Sequence, residues 1–324
     1  MITARTEPDR IDHLGEIALI EQIDAWLGPV NPPRPAGIGD DCAVLEPPRG
    51  IKQLITTDVI SYAQHFDDKV SAANAGAKLI KRNLSDIAAM GGTPGPAVLA
   101  LLCGPDVSIH WLADFFKGVR HACQQNKVQL VGGDVSGLPP GQFSAVLTLT
   151  GSVASPKLRH SAQLGDHIFV TGSLGGSILH KHWAFTPRLA EGQWLAAHPD
   201  CHAMMDLSDG LAKDLQAILP PEASAALDLT AVPIAAAAQT CAQNSGRSAL
   251  EHAFCDGEDY ELLFTLDAAA DPITFAAAWA QQFPSIALSC IGRIQTGSAH
   301  GRLIDAASNT ALPWTHGFEH LTAT

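Results

Sequence analysis

Carboxylate side chains recur at glycine-marked ends of predicted strands and on one apolar helix, where the neighbouring residues favour burial. Each acid taken singly has an ordinary explanation as a helix N-cap, an Asx turn or a solvated strand end. Several together indicate a shared role, because carboxylates gathered in one cleft repel one another unless hard cations hold them ionised. The acids are Asp40, Asp41, Asp58, Asp86, Asp134, Asp206, Asp209, Glu258 and Asp259.

The types of donor favour magnesium over zinc. The candidate ligands offer oxygen atoms, and the fourteen histidines form no His-Glu-x-x-His pattern. His180 and His182 are interpreted as surface residues on opposite sides of a helix. Glycine next to several of the acids lets a phosphate approach the backbone closely. The pattern therefore predicts a site for metal ions and a polyphosphate.

Other nucleotide-binding signatures are absent from the sequence. No Gly-Lys dipeptide occurs, which excludes the G-x-x-x-x-G-K-[ST] phosphate loop, and neither His-Arg-Asp nor Asp-Phe-Gly of protein kinases is present. Residues 170–177 form a strand–glycine–helix junction without the G-x-G-x-x-G spacing of dinucleotide-binding folds, so we interpret it as a tight structural turn.

The composition narrows the class of protein. A chain of 324 residues with 46% hydrophobic residues suits two globular domains. The net charge of −13 makes nucleic acid and anionic membranes poor partners, and no stretch approaches the roughly 18 apolar residues of a membrane span. Seven scattered cysteines without C-x-x-C spacing predict reduced thiols and a cytoplasmic location.

Alternating strand and helix patterns position these acids and predict a mixed α/β or α+β chain. A change near residue 154 predicts two domains, 1–153 and 154–324. We expect strands over 51–58, 96–103, 128–131, 143–153 and 166–171, and helices over 14–27, 71–90, 108–126, 177–185, 188–198 and 211–219.

Seven motifs in order resemble the thiamine-monophosphate kinase family, within the superfamily of aminoimidazole ribonucleotide synthetase and selenophosphate synthetase. They extend over nearly all of residues 14–320. The motifs are Gly37-Ile-Gly-Asp-Asp-Cys-Ala-Val-Leu45, Thr56-Thr-Asp58 with His65-Phe66, Asn83-Leu-Ser-Asp-Ile-Ala-Ala-Met-Gly91, Gly132-Gly-Asp134, Gly165-Asp166 with Val170-Thr-Gly172, Asp206-Leu-Ser-Asp-Gly-Leu211 and Gly257-Glu-Asp-Tyr-Glu-Leu-Leu263.

The resemblance implies a two-domain α+β fold of the aminoimidazole ribonucleotide synthetase type. It implies a homodimer formed by the N-terminal domains, with ATP bound near that interface and the C-terminal domain completing the active site. The implied reaction is Mg²⁺-assisted transfer of the γ-phosphoryl group of ATP to thiamine monophosphate. The implied magnesium ligands are Asp41, Thr56, Thr57, Asp58, Asp86, Asp134, Asp206 and Asp209.

By the same resemblance, Asp58, Asp209 and Arg159 are expected to act in catalysis. The residues expected to hold ATP are Gly133, Asp134, Arg159 and Ser208. Those expected to contact thiamine monophosphate are His65, Glu258 and Phe318.

Two departures from the family pattern concern the phosphoryl acceptor. Residues 59–64 replace an acidic-glycine pair, and Asp256 stands where the family usually has glycine. They leave open two alternatives: a kinase or ligase of the same superfamily acting on another phosphorylated metabolite, and a non-catalytic protein that binds a nucleotide or thiamine phosphate.

Overall fold

The computed structural model describes residues 2–10, 16–32, 50–297 and 301–318. The predicted ligand Asp41 and its neighbour Asp40 lie outside these residues. The described chain forms two compact units. The first comprises the residues up to Ile87 together with Gly92–Ala154, and the second comprises Ala88–Gly91 with the residues from Ser155 onward.

The first unit contains a four-stranded sheet and three α-helices. They are β1 (Lys52–Ser61), β2 (Thr93–Cys103), β3 (Leu130–Gly137), β4 (Phe143–Val153), α1 (Glu16–Leu27), α2 (Ala72–Ala89) and α3 (Ile109–Asn126). The order across the sheet is β1-β4-β2-β3. β4 pairs antiparallel with β1 and β2, and β2 pairs parallel with β3. The two edges of the sheet are therefore β1 and β3.

The two faces of this sheet differ in burial. Alternate residues of β4, among them Phe143, Leu147 and Leu149, are buried, as a period of two requires for one covered face. On the other face apolar side chains reach solvent, and Ile55 of β1 is 73% exposed while Val98 of β2 is 42% exposed. Within the part of the first unit that the structure describes, this apolar sheet face is therefore uncovered.

Close packing of α2 against α3 depends on glycine. A Cβ atom at Gly76 would lie 2.1 Å from the carbonyl oxygen of Phe115, and one at Gly118 would lie 1.8 Å from that of Ala73. Both distances are far below van der Waals contact, so any side chain at either position would push the helices apart. The small residues of these helices allow their backbones to approach.

The second unit contains a seven-stranded sheet and six α-helices. They are β5 (His167–Thr171), β6 (Cys201–Asp206), β7 (Ala223–Leu227), β8 (Leu262–Leu266), β9 (Leu288–Thr296), β10 (Leu303–Asp305), β11 (Thr310–Ala311), α4 (Lys181–Ala184), α5 (Leu189–Ala197), α6 (Leu211–Ile218), α7 (Ala236–Ser245), α8 (Ala249–Cys255) and α9 (Pro272–Gln282). The order is β11-β10-β7-β9-β5-β8-β6. β10 pairs parallel with β7, and the other pairs are antiparallel.

Both faces of the larger sheet are buried. Ile168 and Val170 of β5 belong to one apolar cluster, which includes Leu211 of α6. Phe169, which lies between them and points to the opposite face, belongs to a second cluster with Trp279 of α9. Burial of both faces explains why β5 reads as a continuous apolar run rather than an alternating one.

Several predicted elements end at the wrong residues. Asp58 and Asp134 were expected at strand ends, but β1 continues to Ser61 and β3 runs through Asp134 to Gly137. Pairing with a neighbouring strand continues through both residues, since Asp58 pairs with Leu147 and Asp134 with Ala100, so the glycines before Asp134 do not end β3. The expected helix over 177–185 is also wrong. This segment forms a 3₁₀ turn over Ser177–Leu179 and the short α4. His180 separates the two with a φ of −163°, which is not helical.

The expectations on membrane spans and on cysteines both concern features of the described residues. None of their helices is both long enough and apolar enough to cross a membrane. The cysteines within the described ranges are free thiols; they are Cys103, Cys123, Cys201, Cys241, Cys255 and Cys290.

Candidate active site

Three of the predicted metal ligands come together in the first unit. Thr56 and Asp58 are two residues apart on β1, so their side chains lie on the same face of the strand. Asp86 extends from α2 and accepts a hydrogen bond from Thr56 Oγ1. This strand and helix therefore present a hydroxyl and two carboxylates to one region.

A basic residue that sequence reasoning did not assign joins this group. Arg82 lies one helical turn before Asp86 on α2, and its Nη2 is 3.0 Å from Asp58 Oδ1. Its Nη1 also donates to the carbonyl oxygen of Val59 at 2.6 Å. The side chains of Arg82 and Asp58 are only 13% and 22% exposed, so solvent screens the pair weakly. The sequence signal that could have pointed to Arg82 is its position, four residues before Asp86 on an otherwise apolar helix.

Thr57 does not share the face of Thr56 and Asp58. Its side chain is exposed, and Thr57 Oγ1 donates to the carbonyl oxygen of Leu147 at 3.1 Å while accepting from Thr148 Oγ1 at 3.2 Å. The alternation of side chains along a strand requires this separation. The hydroxyl of Thr57 therefore faces away from Asp58.

Gly133 and Asp134 lie on the opposite edge of the sheet from Asp58. β4 and β2 separate the edge strands β1 and β3, which amounts to three inter-strand steps or about 14 Å. Gly133 is required by the approach of β2, because a Cβ atom there would lie 1.9 Å from the carbonyl oxygen of Leu99. Within one copy, the structure does not bring Asp134 next to the Asp58 group.

His65 is held in the turn that follows β1. Its Nδ1 accepts the backbone N–H of Ser61 at 3.0 Å, which places the proton of the neutral ring on Nε2. The fully buried Lys78 donates from Nζ to the His65 carbonyl oxygen at 2.8 Å. This tautomer makes Nε2 a hydrogen-bond donor, as a phosphate oxygen would require.

In the second unit, Asp206 ends β6, and the turn that follows it carries Ser208 and Asp209. Gly210 then adopts a φ of 104°, and α6 starts at the next residue. Asp214 in the first turn of α6 reaches back, and its Oδ2 accepts the backbone N–H groups of Ser208 at 3.1 Å and Asp209 at 3.0 Å. Asp214, which sequence reasoning did not select, therefore fixes the shape of this turn.

Negative charge accumulates around Asp214. Its pKa is raised to about 7, chiefly by burial and then by the charges of Asp206 and Asp209, whereas the hydrogen bond from Asp209 and the charge of Arg159 act in the opposite direction. Asp206 is only 2% exposed. Three carboxyl groups and one guanidinium therefore lie within electrostatic reach of one another.

The C-terminal segment is fastened to this turn. The N–H of Phe318 donates to the Asp209 carbonyl oxygen at 2.8 Å. Lys213 Nζ bridges the two, because it donates to the Phe318 carbonyl oxygen at 3.0 Å and lies 2.8 Å from Asp209 Oδ2. Gly317 is required here, since a Cβ atom would lie 2.0 Å from the Asp209 carbonyl oxygen. The backbone of Phe318, a residue 44% exposed, is therefore anchored at Asp209.

Glu258 meets the same turn from the other side. Its N–H donates to the Ser208 carbonyl oxygen at 2.8 Å, and its backbone adopts a left-handed φ of 53°. Tyr260 Oη donates to Glu258 Oε1 at 3.1 Å, and His182 Nδ1 lies 3.7 Å from Oε2. His182 is 5% exposed, so its interpretation as a surface residue was wrong; it packs beside Glu258.

Asp259 and Glu261 serve the scaffold. Asp259 accepts the Gly175 N–H at 3.0 Å, and burial raises its pKa to about 7. Burial also acts on Glu261, but hydrogen bonds from Arg188 at 2.7 and 2.8 Å and the charge of Lys181 outweigh it and lower its pKa. These buried contacts fix the segment that carries Glu258.

Comparison with known proteins identifies the family. Residues 39–153 match the family described as AIR synthase related protein, N-terminal domain. A thiamine-monophosphate kinase of Haemophilus influenzae is 31% identical over 95% of this chain and 98% of its own length. This chain belongs to the thiamine-monophosphate kinase family. A kinase of that name from Rhodopirellula baltica is 38% identical over 70% of this chain and 75% of its own length.

A solved structure supports the fold assigned to this family member. AaThiL complexed with AMPPCP and TMP superimposes with a TM-score of 0.70 at 26% identity, covering 96% of this chain and 99% of that chain. The expected α+β fold of the aminoimidazole ribonucleotide synthetase type is thereby confirmed.

Proposed function

We propose that this chain transfers the γ-phosphoryl group of ATP to the phosphate of thiamine monophosphate, giving thiamine diphosphate. The observation that carries the proposal is the likeness over 96% of the chain to a protein whose structure holds the ATP analogue AMPPCP together with TMP. The turn over residues 206–210 supports it, since that turn joins residues expected to serve the nucleotide, the metal and the acceptor.

The acceptor side would be formed by Glu258, Phe318 and His65. Thiamine monophosphate carries a permanently cationic thiazolium ring, and Glu258 offers a carboxylate that is 27% exposed and oriented by Tyr260. Phe318, whose backbone is fixed to the same turn, supplies an aromatic surface. His65 carries a buried Nε2–H donor of the kind that suits a phosphate oxygen.

The nucleotide side would be formed by Gly133, Asp134, Arg159 and Ser208. Arg159 starts a 3₁₀ turn that packs against β6 and α6, close enough for its charge to lower the pKa of Asp214. A guanidinium in this position suits phosphate oxygens, which it can bind with two parallel hydrogen bonds.

Magnesium fits the donor chemistry of this chain. Thr56, Asp58, Asp86, Asp206 and Asp209 offer only oxygen atoms. The pKa of Asp214 is raised first by burial and then by the charges of Asp206 and Asp209, and a hard cation would relieve that second contribution. We propose that these residues hold Mg²⁺ together with Asp41, Asp134 and Thr57, the last through its backbone. Bound Mg²⁺ would neutralise the charge of the reacting phosphates.

Direct transfer requires alignment and charge neutralisation more than a covalent nucleophile. We assign Asp58, Asp209 and Arg159 to the reacting centre. Arg82 and Lys213 hold the two aspartates in place, at 3.0 and 2.8 Å respectively. Arg159 would stabilise charge on the transferred group.

We further propose that the active form is a homodimer built on the first unit. Its uncovered sheet face exposes Ile55 and Val98, which a second copy would bury. The placement of Asp58 and Asp134 on opposite edges of the sheet also supports a dimer. A site that needs both aspartates is incomplete in one copy. It would be complete where the β1 edge of one copy meets the β3 edge of another.

Mixing two inactive variants tests this arrangement. Asp58→Asn and Asp134→Asn should each be inactive alone. After subunit exchange, half of the dimers are mixed, and each mixed dimer regains one intact site, so activity should return to about a quarter of the wild-type value. No recovery, with exchange verified by mass, would place both residues in one copy. Ile55→Asp should give monomers, whereas the control Ile273→Asp, at a residue 78% exposed on α9, should not.

The acceptor is tested by ADP release with thiamine monophosphate, thiamine and a panel of phosphorylated metabolites. Release with thiamine monophosphate supports the proposal. Release only with another metabolite would indicate a kinase or ligase with a different acceptor, consistent with the departure at residues 59–64. Binding of nucleotide without release would indicate a non-catalytic binding protein.

A further inference from the structure

Asp256, the second departure from the family pattern, belongs to a cluster that the proposed kinase reaction does not use. Among the described residues, Cys241, His252 and Asp256 are the one group of three or more His, Cys, Asp or Glu side chains whose ligand atoms all lie within 4.8 Å of one another. None of the predicted magnesium ligands belongs to it.

Two packed helices build this cluster. Cys241 and Ser245 are four residues apart on α7 and share one face of that helix, and His252 and Asp256 have the same spacing at the end of α8. α7 and α8 pack against each other across the short loop 246–248. The helices thereby fix a thiol, an imidazole and a carboxylate in one place.

The contacts of His252 orient its ring toward Asp256. Nδ1 lies 2.9 Å from both carboxylate oxygens of Asp256, and Nε2 lies 2.7 Å from Ser245 Oγ. His252 is 5% exposed and the Asp256 side chain 12% exposed, so both are largely removed from solvent. Nδ1 of the metal-free ring donates to Asp256; in the metal-bound form the proton of the neutral ring would lie on Nε2 and donate to Ser245 Oγ, which makes Nδ1 available as a ligand.

We propose that Cys241, His252 and Asp256 bind a divalent cation of the zinc class. Nitrogen and oxygen ligands about 2.0 Å from a tetrahedral Zn²⁺ lie about 3.3 Å apart, so the observed 2.9 Å separation needs to widen by only a few tenths of an ångström. A thiolate ligand favours zinc over magnesium, which selects oxygen donors. Water would fill the fourth position.

The surrounding charges fit a divalent cation. Coordination releases the Cys241 thiol proton to solvent, so the thiolate, Asp256 and Glu251 provide three negative charges against the one positive charge of Arg247. A divalent cation would neutralise the two negative charges that remain. Arg247 Nη1 lies 3.2 Å from Asp256 Oδ1, and Arg247 Nε lies 2.9 Å from Glu251 Oε1. If the metal binds Asp256 Oδ1, Arg247 therefore still has its ion pair with Glu251. Asp256 Oδ2 can keep its hydrogen bond from the Gly176 N–H at 2.9 Å.

Cobalt substitution tests the site, because a thiolate ligand gives Co²⁺ a sulfur-to-metal charge-transfer band that carboxylate ligands do not give. The 324-residue protein is titrated with Co²⁺ in excess Mg²⁺, which occupies sites that offer only oxygen ligands. Wild type and Cys255→Ser, a control that changes a neighbouring half-buried thiol on the same helix pair, should both show the band. Cys241→Ser should lose it.

A second measurement does not depend on the thiol. Competition with a chromophoric chelator should show one equivalent of Zn²⁺ bound by wild type, and Asp256→Asn should weaken that binding at least about 10-fold. Absence of the band from wild type, its persistence in Cys241→Ser, or unchanged zinc affinity in Asp256→Asn would each overturn the proposal.

Discussion

Replacing Glu258 by glutamine isolates the charge that is proposed to recognise the thiazolium ring. The substitution keeps the length and shape of the side chain, and Tyr260 Oη can still donate to the amide oxygen at the position of Oε1. The backbone hydrogen bond from residue 258 to the Ser208 carbonyl oxygen is unaffected. The change therefore removes a negative charge and leaves the turn in place.

The expected magnitude follows from the exposure of the carboxylate. Two opposite unit charges 5 Å apart attract by about 3 kcal/mol at an effective dielectric constant of about 20. Glu258 is 27% exposed, so hydration lowers the attraction to about 1–2 kcal/mol. That energy corresponds to a rise of about 5- to 30-fold in the KM for thiamine monophosphate.

Steady-state kinetics with each substrate varied in turn measures this effect. The KM for MgATP should stay nearly unchanged, because the lost interaction concerns the acceptor. Glu251→Gln is a matched control, since that carboxylate is 31% exposed but pairs with Arg247. An equal rise in the KM for MgATP would place Glu258 on the nucleotide, and an unchanged KM for thiamine monophosphate would refute the electrostatic argument.

Three further predictions concern the proposed metal ligand Asp58, the joint binding of Mg²⁺ and ATP, and the buried carboxyl group of Asp214. Asp58→Asn should lower kcat at least about 100-fold, because it removes a proposed metal ligand, whereas the exposed control Asp67→Asn should retain wild-type kcat; equal rates in all three proteins would exclude the assignment. Mg²⁺ and ATP together should raise the melting temperature by more than the sum of their separate effects, and a purely additive response would count against a shared site. In magnesium-free buffer, wild type should lose about 1–3 kcal/mol of free energy of unfolding relative to Asp214→Asn as the pH rises from about 4 to about 7. The pKa of Asp214 is raised to about 7 in the fold, so the unfolded chain loses this proton near pH 4 while the folded protein keeps it up to about pH 7. The contribution to stability is therefore fully present below about pH 4 and is lost as the pH rises toward 7; chemical denaturation at several pH values would contradict this if the difference stayed constant.

Periodicity was sufficient to predict the long elements of the first unit. The strand expected over 143–153 is β4, and the helix expected over 108–126 begins one residue later, after the Ser108 side chain caps it by accepting the Trp111 N–H. Both segments have a strong apolar period and a clear local start. Strand ends were less predictable, because β1 and β3 extend past Asp58 and Asp134 through pairing with other strands.

In the candidate site, too, residues within short motifs could be predicted, whereas residues that act through contacts in the folded chain were harder to predict. Ser208, Asp209 and Glu258 could be selected because each lies in a short motif beside glycine. Arg82 offered only one local signal, its position one helical turn before Asp86, and Asp214 offered none, since each acts through a contact made by the folded chain. The separation of Asp58 from Asp134 likewise depends on strand order, which no local motif encodes.

The central claim is the transfer of a phosphoryl group from ATP to thiamine monophosphate, and following the labelled group tests it most directly. Wild-type protein is incubated with Mg²⁺, thiamine monophosphate and ATP labelled in the γ-phosphoryl group, beside Asp209→Asn as a control, and the products are separated. We expect the label in the terminal phosphate of thiamine diphosphate, in step with ADP, and little or none with Asp209→Asn. Label found only in inorganic phosphate, or in no product while thiamine monophosphate stays unchanged, would contradict the account.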